Sequence, residues 1–238
     1  MNELESFATG PHWGTYADWA VAFATILLAI VAVWQERIRA WWDSPRFEVT
    51  AETTPPCCNK VELSNAKDGH FVAECIYLRI NVKNVGRSTA RNVEVYAESL
   101  ELIRAELKLE RVQSFPPMHL TWSNTPRHII INRLGAAMSR YCDVGRIVDP
   151  QLRNNVSGDN SPRLGLDSNT VSLCFSLQTS PNHKAHIVGP GNYVLTVLVA
   201  AENRKPNKHK IKLFVHGTWH SDEAIMLRDF ISIRVVAV

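Results

Sequence analysis

Between Trp19 and Trp34 every position is apolar except Thr25, whose hydroxyl can bond back to its own helix. Such a run is about 24 Å long as a helix at ~1.5 Å per residue. Its flanks extend it towards the ~30 Å of a hydrocarbon core. Trp13, Tyr16 and Trp19 precede or open the run, and Trp34, Trp41 and Trp42 close and follow it. Aromatic rings with a polar edge favour the headgroup layer, so the two clusters read as two interfacial belts. A core helix would carry a polar stripe, and this stretch is apolar all round. A cleaved signal peptide needs a basic start, but the chain opens MNELESF and has no Lys or Arg before Arg37. The pattern predicts one N-terminal transmembrane α-helix with a juxtamembrane extension over 18–42, behind a short extracytoplasmic N-terminus, 1–17.

Beyond Pro45 the period changes from helical to two. In "ECIYLRINVKN" Ile76, Leu78, Ile80 and Val82 share one face, and Tyr77, Arg79, Asn81 and Lys83 the other. Strict alternation of this kind is a half-buried strand. "NVEVYA" repeats it with Val93 and Val95, and residues 46–52, 171–177, 192–202, 211–217 and 230–238 read as further strands. "NVG" at 84–86 and "GPG" at 189–191 supply turn chemistry. Residues 99–112 place Leu100, Ile103 and Leu107 at helical spacing, yet Leu107 and Leu109 alternate with charges. An extended hairpin is favoured there, a short helix being the alternative. Residues 154–169 are polar and rich in turn formers and read as a loop. The expected class is mainly β, an antiparallel immunoglobulin-like β-sandwich over 46–238 behind the helix.

Charge sets the orientation. The chain carries a net +3, yet residues 1–36 hold Glu3, Glu5, Asp18 and Glu36 and no basic side chain. Arg37, Arg39 and Arg46 follow the apolar run directly, and basic residues near a span prefer the cytoplasmic side. The expectation is a single-pass inner-membrane protein, N-terminus outside and β domain in the cytoplasm. Membrane anchoring falls to Trp13, Tyr16, Trp19, Trp34, Arg37, Arg39, Trp41 and Trp42. Five cysteines, Cys57, Cys58, Cys75, Cys142 and Cys174, are odd in number and irregularly spaced, unlike a secreted disulfide framework. They read as free thiols, with Cys57–Cys58 in an exposed loop after Pro55–Pro56. A vicinal pair near a membrane is also a candidate lipidation or metal site.

"INVKNVGRSTARNVEVY", residues 80–96, resembles the N-x-G-x-x-x-A-x-N-V-x-V turn of CARDB-like and related immunoglobulin-like bacterial sandwiches, through Asn84, Gly86, Ala90, Asn92, Val93 and Val95. The resemblance implies a fold and not an activity. Read as physics, Asn84 can close the turn with its side chain, Gly86 can take positive φ, and Ala90 lets the loop approach the sheet.

Candidate chemistry is sparse. There is no P-loop, G-x-G-x-x-G, H-E-x-x-H or paired C-x-x-C, so no nucleophile or base is nominated and no cofactor is expected. In "HGTWHSDE", His216 and His220 with Asp222, Glu223 or Cys142 could hold a metal, but Gly217 and Thr218 oppose the helix that spacing needs. A structural turn anchored by Trp219 is favoured. "HKAH" at 183–186 reads as a solvated loop. Arg204, Lys205, Lys208, Lys210 and Lys212 form a basic hairpin, turning at Pro206–Asn207, with the last three lysines on one face. Its bland role is to keep a sheet soluble. Its functional role is to bind anions, lipid headgroups among them. The hairpin lacks stacking aromatics, which disfavours nucleic acid. The expected partners are membrane lipid and a protein or anionic ligand, with self-association through small residues of the helix. The sequence points to a membrane-anchored binding or sensing module. The alternative is a membrane-disrupting effector, for example in antiviral defence, triggered through the soluble domain.

Overall fold

The computed structural model describes residues 14–65, 67–104, 108–125, 128–156, 165–167 and 169–236, with backbone alone over 36–42. The chain divides into two compact units, residues 1–43 and 44–238.

The first unit is helix α1, Tyr16–Trp42. Thr15 caps it. The Asp18 carboxylate accepts from the Thr15 backbone N–H at 2.7 Å and from its hydroxyl at 2.8 Å, while Asp18 N–H reaches back to Thr15 Oγ1 at 3.4 Å. This reciprocal pair satisfies donors that a helix start leaves open. Tyr16–Gln35 is long and apolar enough to cross a membrane, and none of it is buried. Its 20 residues span about 30 Å, the thickness of a hydrocarbon core. Thr25 does return its hydroxyl to Val21 O, at 2.8 Å. Tyr16, Trp19 and Trp34 are exposed. Trp13 and the side chains of Arg37, Arg39, Trp41 and Trp42 lie outside the described residues.

The second unit is β1 (Phe47–Thr50), β2 (Cys58–Ser64), β3 (Phe71–Asn84), β4 (Ala90–Ile103), β5 (Leu109–Arg111), β6 (Met118–His119), β7 (Thr121–Trp122), β8 (Ile130–Leu134), β9 (Ser139–Val148), β10 (Leu173–Phe175), β11 (Ile187–Val188), β12 (Gly191–Ala201), β13 (Arg204–Val215) and β14 (Ile231–Val236). Among the described residues these make two antiparallel sheets. One runs β1-β3-β9-β10-β11, with β2 on β3 and β7 on β9. The other runs β14-β13-β12-β4-β5, with β6 and β8 on β4. One apolar core takes side chains from both: Ile76, Leu78, Ile80 and Val82 from β3, Val93 and Val95 from β4, Leu195 and Val197 from β12. Each is fully buried, worth roughly 1.5–3 kcal/mol per side chain.

Two β-bulges explain where the alternation fails. The β4–β12 register shifts at Thr196/Val197, so Ala97 and Leu100 both face the core although three residues apart. The segment over 99–112 is the favoured extended pairing, with Glu101 opposite Arg111 and Ile103 opposite Leu109, and Leu107 lies outside the described residues. In β9 the register shifts opposite Leu78/Arg79, which leaves Val144 and Ile147 both buried. Gly145 sits there because a Cβ would lie 2.6 Å from Cys174 O.

Three local expectations are corrected. The hairpin turn is Glu202–Asn203, not Pro206–Asn207. Asn203 holds it, accepting from Arg91 N–H and donating to Thr89 O. Pro206 lies with Lys205 in a bulge of β13, unpaired between Arg204 and Asn207, and short of Lys210, where pairing with β14 begins, so its missing N–H costs no ladder bond. Cys57 and Cys58 are not in an exposed loop. Both are buried, Cys58 opening β2 opposite Leu78. Gly86 does not take positive φ; Asn92 does, at 50°. Glycine at 86 answers a close approach instead, since a Cβ would meet Pro45 Cα and Ser44 O, each at 2.6 Å, as well as Arg46 N.

Asn84 ties this corner together. It is fully buried at the end of β3. Its Nδ2 donates to Ser88 O at 2.8 Å, Leu134 O at 3.0 Å and Gly135 O at 3.3 Å, and its Oδ1 accepts from Arg46 N–H and Gly86 N–H. One carboxamide thus joins the segment before β1, the β3–β4 loop and the β8–β9 loop. Asn84→Leu strands these five backbone groups, and a buried unsatisfied group costs about 1–3 kcal/mol. Chemical denaturation should show a loss of at least about 3 kcal/mol, far more than Asn92→Ala, whose exposed side chain reaches only Glu202.

Candidate functional site

The five basic residues of the β12–β13 hairpin separate into two groups. Lys208, Lys210 and Lys212 do share the outer face of β13, while Ile211, Leu213 and Val215 face the core. Across that face they stand opposite Leu198, Thr196 and Val194 of β12. One strand further on lies β4, with Glu98 and Glu101. Lys208 Nζ reaches both Glu98 oxygens, at 2.7 and 2.9 Å. The lysine column therefore faces an acidic column across one neutral strand, which compensates its field. Lys208 is 63 % exposed, so the pair contributes at most about 1 kcal/mol. Arg204 turns elsewhere and donates from Nη1 to Ser44 Oγ at 3.1 Å, and Lys205 beside it is exposed.

At the opposite end of the same strands lies a cleft of about 780 Å³. The β12–β4 pairing sets Tyr193 beside Leu102 at its floor, joined by Val112, Ile187 and Val188. Its rim carries Arg104, Arg111 and Lys184, with Glu110 the one carboxylate among the described lining residues. Arg104 Nε meets Glu110 at 2.7 Å, an exposed pair an incoming anion can compete for. Lys184 takes φ 58°, in the tight turn that precedes β11. Tyr193 donates its hydroxyl to Gly189 O at 3.0 Å, and burial pushes its pKa up. An apolar floor under several cations suits an anion with an apolar body. Periodicity could not reveal this, because Arg104, Arg111 and Lys184 come from two distant segments. A smaller hollow, about 370 Å³, holds Arg79 and Asp143. Their polar groups bond to each other at 2.9 Å, to Asn59 and to Ser123.

The histidines of "HGTWHSDE" bracket an aromatic ring. His216 meets Phe230 edge-on at 5.1 Å and His220 stacks on it at 6.1 Å. Asp222 caps the short helical turn Glu223–Ile225 by accepting from Ile225 N–H, and that bond holds its carboxyl below the usual range. Glu223 accepts from Lys60 N–H, and the Cys142 thiol donates to Thr121 O. No group of three His, Cys, Asp or Glu placed to hold a metal occurs among the described residues. In "HKAH", His183 is exposed as expected, but His186 is buried and its carbonyl accepts from Phe175 N–H. None of the five cysteines is in a disulfide. Burial, with Cys57 adding to it, pushes the Cys58 thiol up to about 12. A buried, protonated thiol is a poor target for lipidation.

No protein-family model, curated protein or solved structure matches the chain.

Trp219 packs against the core. Trp219→Ala should cost about 2–3 kcal/mol in denaturation, and His216→Ala under about 1 kcal/mol. Chelation should leave the wild-type transition in place; a lower transition after chelation would require a metal.

Proposed function

We propose that the chain is a single-pass membrane-anchored binding module with its β unit, an immunoglobulin-like sandwich of the CARDB-like kind, in the cytoplasm. The helix is the anchor, and the cleft of β4, β5 and β12 is the ligand site. The ligand is an anion with an apolar body. The observation that carries the reading is the cleft itself, where Arg104, Arg111 and Lys184 rim a floor of Leu102, Val112 and Tyr193. Unburied apolar surface over Tyr16–Gln35 supports the anchor, and Arg37, Arg39 and Arg46 support the orientation. Domain boundaries follow: 1–17 outside, 18–42 in and beside the bilayer, 46–238 inside.

Two probes of equal apolar size test the site, naphthalene sulfonate and uncharged naphthol. Calorimetry on the full chain in neutral nanodiscs, corrected against empty nanodiscs, should show the sulfonate binding at least about tenfold tighter, since charge-assisted bonds are worth about 1.5–3 kcal/mol. Arg111→Glu with Lys184→Glu should abolish the difference. Equal binding of both probes, or a difference unmoved by the double variant, contradicts the assignment. An active alkaline phosphatase fused after Val238 would contradict the orientation.

A further inference from the structure

We infer that the Ser44 end of the β unit rests on the anionic headgroups of the membrane that α1 spans. The inference depends on the anchoring proposed above and assigns a surface that anchoring alone does not require.

Covalent geometry supplies the first reason. Asp43 alone separates Trp42, the last residue of α1, from Ser44. Two residue steps reach at most about 7 Å. Ser44 cannot swing free of the sheets, because it is buried, bonded to Arg204 and in close approach to Gly86. The chain therefore enters the β unit at this corner, two residues after Trp42.

The surface there has the chemistry of a headgroup contact. Arg46, Arg87, Arg91 and Lys205 are all exposed around it. Of the acids of the β unit near it, Glu48 stands two residues from Arg46 opposite Lys83, and Glu202 already accepts from Asn92 Nδ2 at 3.0 Å. Two large apolar side chains stand among the cations. Val85 is 47 % exposed and Met138 62 %. Their loops are held side by side, Asn84 N–H donating to Met138 O at 2.9 Å and Val85 N–H to Arg46 O at 2.8 Å. Solvent-facing apolar tips inside a basic ring enter the headgroup layer while the cations meet lipid phosphates. Among the described residues no aromatic ring is exposed beside the tips, which disfavours stacking on nucleic acid. On the Lys208, Lys210 and Lys212 face, Lys208 is already paired with Glu98.

Amide hydrogen exchange on the full chain in nanodiscs tests this. Over residues 85–88 and 135–138, exchange should be about fivefold or more slower in phosphatidylglycerol than in phosphatidylcholine, the effect of about one basic residue at an anionic surface. Salt should remove the difference. Arg46→Glu, Arg87→Glu, Arg91→Glu and Lys205→Glu combined should remove it too, while Lys208→Glu, Lys210→Glu and Lys212→Glu combined should not. Equal exchange in the two lipids, with the chain incorporated, overturns this inference alone. Failure of the chain to incorporate overturns the anchoring and this inference together.

Discussion

The buried carboxamide of Asn84 is the constraint on which the second unit's architecture turns. Three connecting segments converge at the end of β3, and each brings backbone groups that are at least partly shielded from water. One side chain with two donors and an acceptor satisfies five of them. Because the bonds run to main chain, the corner depends on backbone geometry more than on neighbouring side-chain identity. It also fixes where the chain enters the sheets, since Arg46 N–H is one of the five. Gly86 completes the corner by leaving room for Ser44 and Pro45.

From that corner β4 and β12 run the length of the unit. Ala90 and Ala201 lie at the Asn84 end, and Leu102 and Tyr193 at the other. At ~3.3 Å per residue, β12 alone carries the chain about 30 Å. The strands therefore hold two cationic regions apart: the ring about Ser44, and the rim of the cleft. Between them Lys208 of β13 is paired with Glu98 of β4. In the proposed reading these regions do different work. One meets lipid, and the other stays open to the aqueous phase to take a ligand.

Regular alternation was legible and irregularity was not. β1, β3, β4 and β14 announce themselves by period two, β12 by a nearly unbroken apolar run, and the apolar helix by its lack of any polar stripe. β9 was missed because its bulge at Val144 puts Val144 and Ile147 out of phase. β2 was missed because Pro55–Pro56 and two cysteines resemble a loop until Cys58 is seen buried against β3. The role of Asn84 as a turn closer was readable, through its bond to Gly86 N–H. Its reach to Leu134 and Gly135 was not, because those partners lie far along the chain. The lysine face was read correctly as a face, yet its meaning changes with Glu98 across the sheet, which no local window contains. The cleft was invisible for the same reason.

The polarity of the β unit towards the membrane is most directly measured with spin labels on the full chain in nanodiscs whose lipid headgroups carry chelated nickel. One label replaces Lys205 at the Ser44 end, and the other replaces Gln113 beside the cleft. Relaxation by headgroup nickel falls steeply over the ~30 Å that β12 spans. The account predicts strong relaxation at position 205 and little at 113. Equal relaxation at both positions, or the reverse order, would contradict it.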